Sequence, residues 1–394
     1  MPKGGSEVAV VTPEFQLMDG GPLYQWMKRH GMERVSMAQR AIALAAFAWV
    51  PLLGLAFAQG LALPGTLRIP FLYDIACHVR FLVVLPLLVL ADIAVNSATG
   101  SSIRQFVTSG LVDATTRAPF DALIATARKR RDSQLVGVLI AALAIVPAVY
   151  LGAARSTTVF DGTWYTAPGG SGASLAANWS IFIGGFSFRI LVYRWIWRLT
   201  IWTLLLWGIA RLDLRSVATH PDGAGGLGFL GVAQTRFGVL SFAGGAAVSS
   251  FIADQILFQN GSVKSETVVI IAYIVAAMLL LLAPLLAMSA RLARTRREGL
   301  FTYGALASEY VEQFDRRWVR REATPPNELL GSADVQSLAD MANSFSVVTK
   351  MAPVPIDRGS IIFLAVAAAA PFVPLGLIDP AAREVARELL QKIL

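Results

Sequence analysis

The chain contains one cysteine and three histidines, and only 15% of its residues are charged. A single thiol, Cys77, excludes an intrachain disulfide, and its place inside an apolar run marks it as a small hydrophobic side chain. Asp74, Cys77 and His78 fall within about one helical turn. A zinc site, however, takes three or four protein ligands, mostly N and S donors, and the chain has few of these. No metal site and no cofactor are assigned. The motif G-x-S-x-G is missing, as is a G-K-[ST] phosphate loop, which excludes a nucleophile elbow and a Walker-type cradle. No internal repeat is visible, so the inverted-repeat signature of many secondary transporters is missing too. The opening stretch, "MPKGGSEVAVVTPEFQLMDGG", has acidic residues and no short apolar core with a small-residue cleavage site, unlike a cleaved signal peptide. The first apolar segment is then expected to serve as an uncleaved anchor.

What is present is apolar length. Of 394 residues, 55% are hydrophobic, and the mean hydropathy is +0.58. The apolar residues come in blocks of about 20, the length that crosses roughly 30 Å of hydrocarbon. Seven blocks stand out: Ala41–Leu61, Ile75–Val95, Leu135–Ala153, a span within Trp179–Leu212, Gly238–Phe258, Val268–Ala290 and Ser360–Ile378. The expected fold is all-α, a polytopic helical membrane protein with about seven transmembrane helices. Of the 34 Lys and Arg residues, 24 fall in the N-terminal tail and in the loops after the second, fourth and sixth blocks. The alternate loops hold only Arg68, Arg155 and Lys264. The positive-inside rule then places the N-terminus in the cytoplasm and, with seven crossings, the C-terminus outside. Pro371 and Pro374 make the last block the one that would instead dip in and return. The net charge of +8 is read as topology and contact with the bilayer and its anionic lipids, not as nucleic-acid binding.

Four regions follow. Residues 1–40 form a cytoplasmic tail with an interfacial helix, 41–290 a six-helix transmembrane region, 291–358 a cytoplasmic helical arm, and 359–394 the last span with an amphipathic C-terminal helix. Residues 100–133 are polar and basic, as expected of helices on the inner face, and 156–179 read as an irregular outer loop with interfacial aromatics. In the arm, Tyr303, Ala307, Tyr310, Phe314 and Trp318 recur at helical spacing. The sixth span is predicted to continue as one helix to "ATPPNE" at 323–328, with a second helix over about 332–348. Asp379 and Pro380 are a fitting N-cap and first residue for a C-terminal helix.

Ionisable residues at membrane depth cost roughly 2.5–3.5 kcal/mol each on insertion scales, so each needs a reason. The candidates are Asp74, His78, Arg80 and Asp92 in the second block, Arg189, Arg194 and Arg198 in the fourth, and Asp254 in the fifth. Asp74 and His78 share a helix face and suggest a proton relay. Arg194 and Arg198 suggest an anion path, an ion pair with Asp74 or Asp92, or snorkelling to the outer interface beside Trp195 and Trp197. The arginine spacings of five and four do not match the every-third pattern of a voltage sensor. Trp179–Leu212 would be about 51 Å long as one helix, and Gly184–Gly185 is the predicted break.

"ATHPDGAGGLGFLG" at 218–231 matches G-x-G-x-x-G at Gly223, Gly225 and Gly228. A dinucleotide site needs a strand before the motif and a helix after it in a βαβ unit, and here a spanning helix precedes it. The His-Pro-Asp tripeptide likewise lacks its co-chaperone module. The remaining reading is a turn in which Asp222 caps the next helix and Gly225, Gly228 and Gly231 form a packing stripe. Arg211, Arg215, His220, Asp222, Gly225 and Gly226 are then the candidate anion or lipid-headgroup site.

Four stretches, "EFQLMDGGPLYQWMKRHGM" at 14–32, "HPDGAGGLGFLG" at 220–231, "SLADMANSFSVVTKMAPVPID" at 337–357 and the Pro-rich last span, together resemble a family of uncharacterised bacterial multi-pass inner-membrane proteins. The resemblance implies a bacterial inner-membrane location and brings no activity. Three functions are in view. One is a transporter or channel for a small anion or proton-coupled solute. Another is a regulatory or scaffold protein that holds a cytoplasmic partner through the arm; a homo-oligomer is a separate alternative. The last is a lipid-phosphate enzyme using the 211–222 residues; no catalytic residue is assigned.

Overall fold

Short polar side chains set the helix starts. Ser36 accepts from the Gln39 N–H at 3.2 Å while the Gln39 side chain accepts from the Ser36 N–H at 3.0 Å, a reciprocal cap that opens the first long helix. The computed structural model describes residues 15–31, 35–65, 67–153, 162–169, 172–320 and 333–379. Among the described residues the chain is helical, with two isolated bridges and no strand. In order the helices are α1 (Pro22–Arg29), α2 (Met37–Ala58), α3 (Ile75–Thr108), α4 (Ala114–Arg131), α5 (Gln134–Ala153), α6 (Leu175–Ala210), α7 (Phe229–Thr235), α8 (Gly238–Phe258), α9 (Val263–Leu286), α10 (Ser289–Phe314), α11 (Ala333–Thr349) and α12 (Arg358–Ile378).

Six helices are long and apolar enough to cross a bilayer: α2, α3, α6, α7 together with α8, α9 and α12. The chain is a multi-pass helical membrane protein. The third predicted span corresponds to α5, whose apolar stretch, Gln134–Pro147, is shorter. Large apolar side chains stand exposed on α5 and α9, Leu135 at 70% and Val268 at 77%, as on surfaces that face lipid.

The bundle has two ends. At the upper end Asp254 meets the start of α3, Arg68 bonds to the Phe258 carbonyl, and the Asp379 carboxylate accepts from Val263 N at 2.6 Å. At the lower end Arg215 N bonds to Leu111 O, Ala352 N to Gly223 O, and Arg291 to the Leu212–Leu214 segment. Most of the apolar core lies toward this lower end, around Trp202, Phe106, Phe120 and Phe237.

Several boundaries differ from expectation. The second span does not end near Val95. Helix α3 continues to Thr108 because Phe106 packs on Phe120 and Phe229, with ring centroids 5.9 and 5.2 Å away, so 100–108 prolongs the span with one face, Ser102, Ile103 and Phe106, in the core and the other, Ser101, Arg104 and Gln105, exposed. No break occurs at Gly184–Gly185; α6 is continuous there and passes through a π turn, Ser180–Gly184. Helix α3 has the same device at Arg80–Val84, one α turn after its cap at Asp74, as α6 has one α turn after its cap at Ser174. The two π turns touch: a Cβ on Gly184 would stand 2.7 Å from the Phe81 ring.

The sixth span does not run on as one helix either. Helix α9 stops at Leu286 and α10 starts at Ser289. Pro284 lacks an N–H, which frees a carbonyl one turn earlier, and Arg291 ties the start of α10 to the Leu212–Leu214 carbonyls and to Asp213 at 3.1 Å. Helices α10 and α11 pack antiparallel, with Arg296 on the Thr349 carbonyl at one end and Trp318 on the Asp334 carboxylate at the other. Helix α12 takes a 3-10 turn at Ala370–Phe372, beside its prolines, and reaches the upper end instead of returning. Asp379 therefore serves the N-terminus of α9. The "ATPPNE" break and the C-terminal helix beyond Asp379 lie outside the described residues.

Candidate functional site

The ionisable residues of the spans fall into two clusters and one outlier. In the upper cluster Asp74 caps α3, accepting from Cys77 N at 2.6 Å and from the Trp164 indole at 2.8 Å. Asp254 reaches across from α8 to the same helix start and accepts from Ile75 N and Ala76 N, both at 3.0 Å. Two carboxyls thus share one helix N-terminus, where the orphan N–H groups and the helix dipole favour them. His78 is not in this network. Its Nδ1 accepts from the Trp49 indole at 3.0 Å, and its ring sits against Phe71, so the Asp74–His78 relay is not formed. Arg80 lies half-buried in the π turn and joins none of these pairs. Trp164 is fully buried on Phe71, which corrects the picture of 156–179 as a belt of interfacial aromatics. Arg189, the outlier, spends its guanidinium on the carbonyls of Ala144 at 2.6 Å and Ile181 at 3.0 Å.

In the lower cluster Asp92 of α3 and Arg194 of α6 form an ion pair at 2.9 Å. Arg198, one turn further along α6, is 2% exposed. It does not snorkel outward; it lies inside the protein and, among the described residues, is in no ion pair. Its Nη2 donates to the Gly20 carbonyl at 2.5 Å, while Nε and Nη1 have no partner. One oxygen of Asp92 is also unpartnered. A neighbouring cavity of about 330 Å³ is lined by Asp92, Asn96, Ser97, Asp19 and Arg104.

The segment that covers this cluster is the N-terminal tail. Phe15, Leu17 and Met18 are each at most 1% exposed, so residues 15–21 form a strap inserted against α3 and α6. Met18 N donates to the Asn96 side chain at 3.0 Å, Arg194 reaches the Met18 carbonyl at 3.4 Å, and Arg131 takes the Gln16 carbonyl at 2.5 Å. Gly21 N donates to Asp132, which Arg131 grips with two bonds of 2.8 Å. Burial alone raises the Asp132 carboxyl, but the bonds and charge of Arg131 outweigh it and hold the group below its ordinary range. Glycine is required where the strap crosses this pair: a Cβ on Gly20 would stand 2.2 Å from Asp132, and Gly21 has φ +93°.

The glycine loop has a different geometry from a helix start. The helix begins at Phe229, and residues 211–228 are irregular chain and turns, with Gly223, Gly225 and Gly226 at positive φ. The Asp222 carboxylate accepts from Ala224 N at 2.8 Å, Gly226 N at 3.1 Å and Gly228 N at 2.8 Å, and meets His220 Nδ1 at 2.8 Å. Burial raises this carboxyl, but the three N–H groups and His220 outweigh it and hold it below the ordinary carboxylate range. The N–H groups expected to hold an external anion are filled by the loop's own side chain. Arg211 and Arg215 make no side-chain bond to His220 or Asp222; Arg215 instead lines an open pocket with Arg291 and Arg294. Nor is there a helical glycine stripe. Gly225 packs on Met351, and Gly231 lies under the backbone of Pro355 and Ile356.

Comparisons with protein-family models, with curated proteins and with solved structures found no match.

The site is therefore read from its own geometry. Sequence reasoning had the Asp92–Arg194 pair among its alternatives, but missed the strap, Asn96 and the Arg131–Asp132 pair. The available signal was Phe15, Leu17 and Met18, three large apolar residues just before Gly20–Gly21.

Proposed function

We propose that the chain binds a small anionic solute at Arg194 and Arg198 and passes it across the membrane. The observation that carries this reading is Arg198: a buried cation that is in no ion pair among the described residues and keeps two unpartnered N–H nitrogens. A buried charge is costly unless paired, and within the cluster Asp92 is committed to Arg194 and Asp132 to Arg131. A bound anion supplies acceptors to the unpartnered Nε and Nη1 of Arg198. The reading takes the chain as a seven-crossing protein of the bacterial inner membrane, N-terminus in the cytoplasm, with α10 and α11 as a cytoplasmic arm. The Lys/Arg distribution and the resemblance of its motifs support this. The test is anion, cation and proton flux in proteoliposomes. Anion flux that disappears in Arg198→Met is expected; no flux of any kind in the wild type removes the reading.

A second reading, a scaffold that holds a protein partner, is favoured by apolar side chains left bare on α10 and just beyond it, Phe301 at 76% and Val319 at 67% exposure. Replacing both by Ser and repeating a pull-down tests it; an unchanged partner set removes it.

A further inference from the structure

The strap does more than cover the cluster; its carbonyl oxygens occupy the positions that ligand oxygens would take. Gly20 O is on Arg198 Nη2, Met18 O on Arg194 Nη2 and Gln16 O on Arg131 Nη1. Nη2 is the nitrogen common to both forked edges of a guanidinium: it pairs with Nε on one side and with Nη1 on the other. A single carbonyl on Nη2 therefore blocks both edges and fills neither, and Nε and Nη1 are the two nitrogens left unpartnered. A phosphate or carboxylate has the paired oxygens that a fork accepts, with charge assistance that a carbonyl lacks. The strap's own hold is divided. Phe15, Leu17 and Met18 are buried in the apolar core, while its polar contacts are the three backbone carbonyls, two bonds to Asn96 from Met18 N and the Asp19 carboxylate, and Gly21 N on Asp132. The adjoining cavity of about 330 Å³ lies against strap residues Phe15, Gln16 and Asp19 and against Asp92, and neither Arg194 nor Arg198 lines it, so a ligand reaches the arginines only as the strap moves.

We infer that residues 15–21 are a built-in placeholder in an oxyanion site: a phosphate or carboxylate group takes Arg198 through one forked edge, with a further oxygen on Arg194, and displaces the strap. This rests on the anion reading above and adds a competitor to it. Ligand and strap then exclude each other, so the fraction of molecules with the strap released rises with anion concentration relative to its dissociation constant.

The test uses the strap as reporter. Cys77 is the chain's single cysteine and is buried, so Leu17→Cys and, as a second site, Met18→Cys in a Cys77→Ala background each give one thiol under the strap. Maleimide labelling is followed in phosphatidylcholine nanodiscs with inorganic phosphate titrated in, and in discs containing phosphatidylglycerol without phosphate. Slow labelling is expected without phosphate, rising roughly tenfold at about ten times the dissociation constant, with the rise lost in Arg198→Met. A rise with soluble phosphate identifies a free solute. A rise only with phosphatidylglycerol identifies a lipid headgroup as the source of the oxyanion. If phosphate binds, measured by a shift in Tm, and labelling does not change, the strap inference falls and the anion reading stands. If there is neither binding nor a change in labelling with either source, both fall. Labelling at the rate of an exposed thiol without any ligand also overturns the placeholder.

Discussion

Arg198 brings a positive charge to a position that is 2% exposed, and its nearest acids already belong to other arginines. Two substitutions separate structural from ligand-binding charge there. Asp92→Ala strips Arg194 of its partner and leaves a buried charge alone, a loss of about 3–5 kcal/mol. A marked fall in Tm is expected, largely recovered in Asp92→Ala/Arg194→Met, where no charge remains to be paired. Arg198→Met has the opposite sign. In anion-free buffer it removes an unpaired charge and holds or raises Tm, and the rise in Tm with added phosphate disappears. If Arg198→Met destabilises as strongly as Asp92→Ala, then Arg198 is a structural arginine whose partners the protein itself supplies. Asp222 adds a pH dependence of known sign. Its folded pKa is depressed, so its stabilisation of the glycine loop is complete above the unfolded value of about 4 and is lost as pH falls through the lower folded value. Amide exchange at Ala224, Gly226 and Gly228, corrected for intrinsic rates, is expected to accelerate over that window. Asp222→Asn is expected to exchange quickly at every pH, and equal protection in both proteins would show that the carboxylate does not hold the loop.

At the scale of elements, the two π turns are the feature that hydrophobic periodicity could not reveal. Apolar residues surround both Arg80–Val84 and Ser180–Gly184, so the block pattern reads as plain helix, and Gly184–Gly185 reads as a break. The physical role of Gly184 is instead to let the Phe81 ring lie against its backbone, 2.7 Å from where a Cβ would be. Gly184→Ala is expected to cost about 1–3 kcal/mol by overpacking, recovered in part by Phe81→Leu; a neutral Gly184→Ala would mean that the helices are free to move apart there. What was legible follows the same logic. Blocks of about 20 apolar residues mark helices wherever lipid is the neighbour, and α8 runs Gly238–Phe258, over the same residues as its apolar block. Boundaries set by contacts between distant residues were not legible. Helix α3 runs past Val95 because Phe106 meets Phe229, and α9 stops early partly because Arg291 is held by Leu212 and Leu214. The candidate site divides the same way. Asp92, Arg194 and Arg198 stand out as charges in apolar blocks, whereas the strap is visible only once Arg131 and Arg198 are seen holding its carbonyls. The Asp222 carboxylate was readable as a cap and not as the occupant of its own glycine cradle, because that depends on three positive φ angles between Asp222 and Gly226.

For the whole molecule, the two ends of the bundle and the two classes of loop in the Lys/Arg count are independent groupings, and they coincide. Residues 109–113, 211–228 and 287–297 meet at the lower end through contacts such as Arg215 N to Leu111 O and Arg291 to Leu214 O, and they lie in or at the edge of the loops after the second, fourth and sixth blocks, which with the N-terminal tail hold 24 of the 34 Lys and Arg residues. The upper end, where Arg68 meets Phe258 and Asp379 meets Val263, carries few cations. Single cysteines in a Cys77→Ala background test whether both groupings report the same membrane sides. Gln259→Cys and Leu377→Cys sit at the upper end, and Ser109→Cys and Asp213→Cys at the lower; all four positions are exposed. With an impermeant maleimide on intact cells, the first two are expected to label and the last two only after lysis. The inverse pattern would turn the molecule over and move the strap to the outer face. Labelling of Leu377→Cys with the lower pair would mean that the last span returns. The outcome also fixes the direction of approach to the arginine cluster. Strap, cavity, Asp92 and Arg198 all lie toward the lower end, so with that end inside, the anion that competes with residues 15–21 must come from the cytoplasm or the inner leaflet. Phosphate added to sealed vesicles would then displace the strap only in molecules whose lower end faces the added solution, and the labelled fraction at saturation would equal the fraction so oriented.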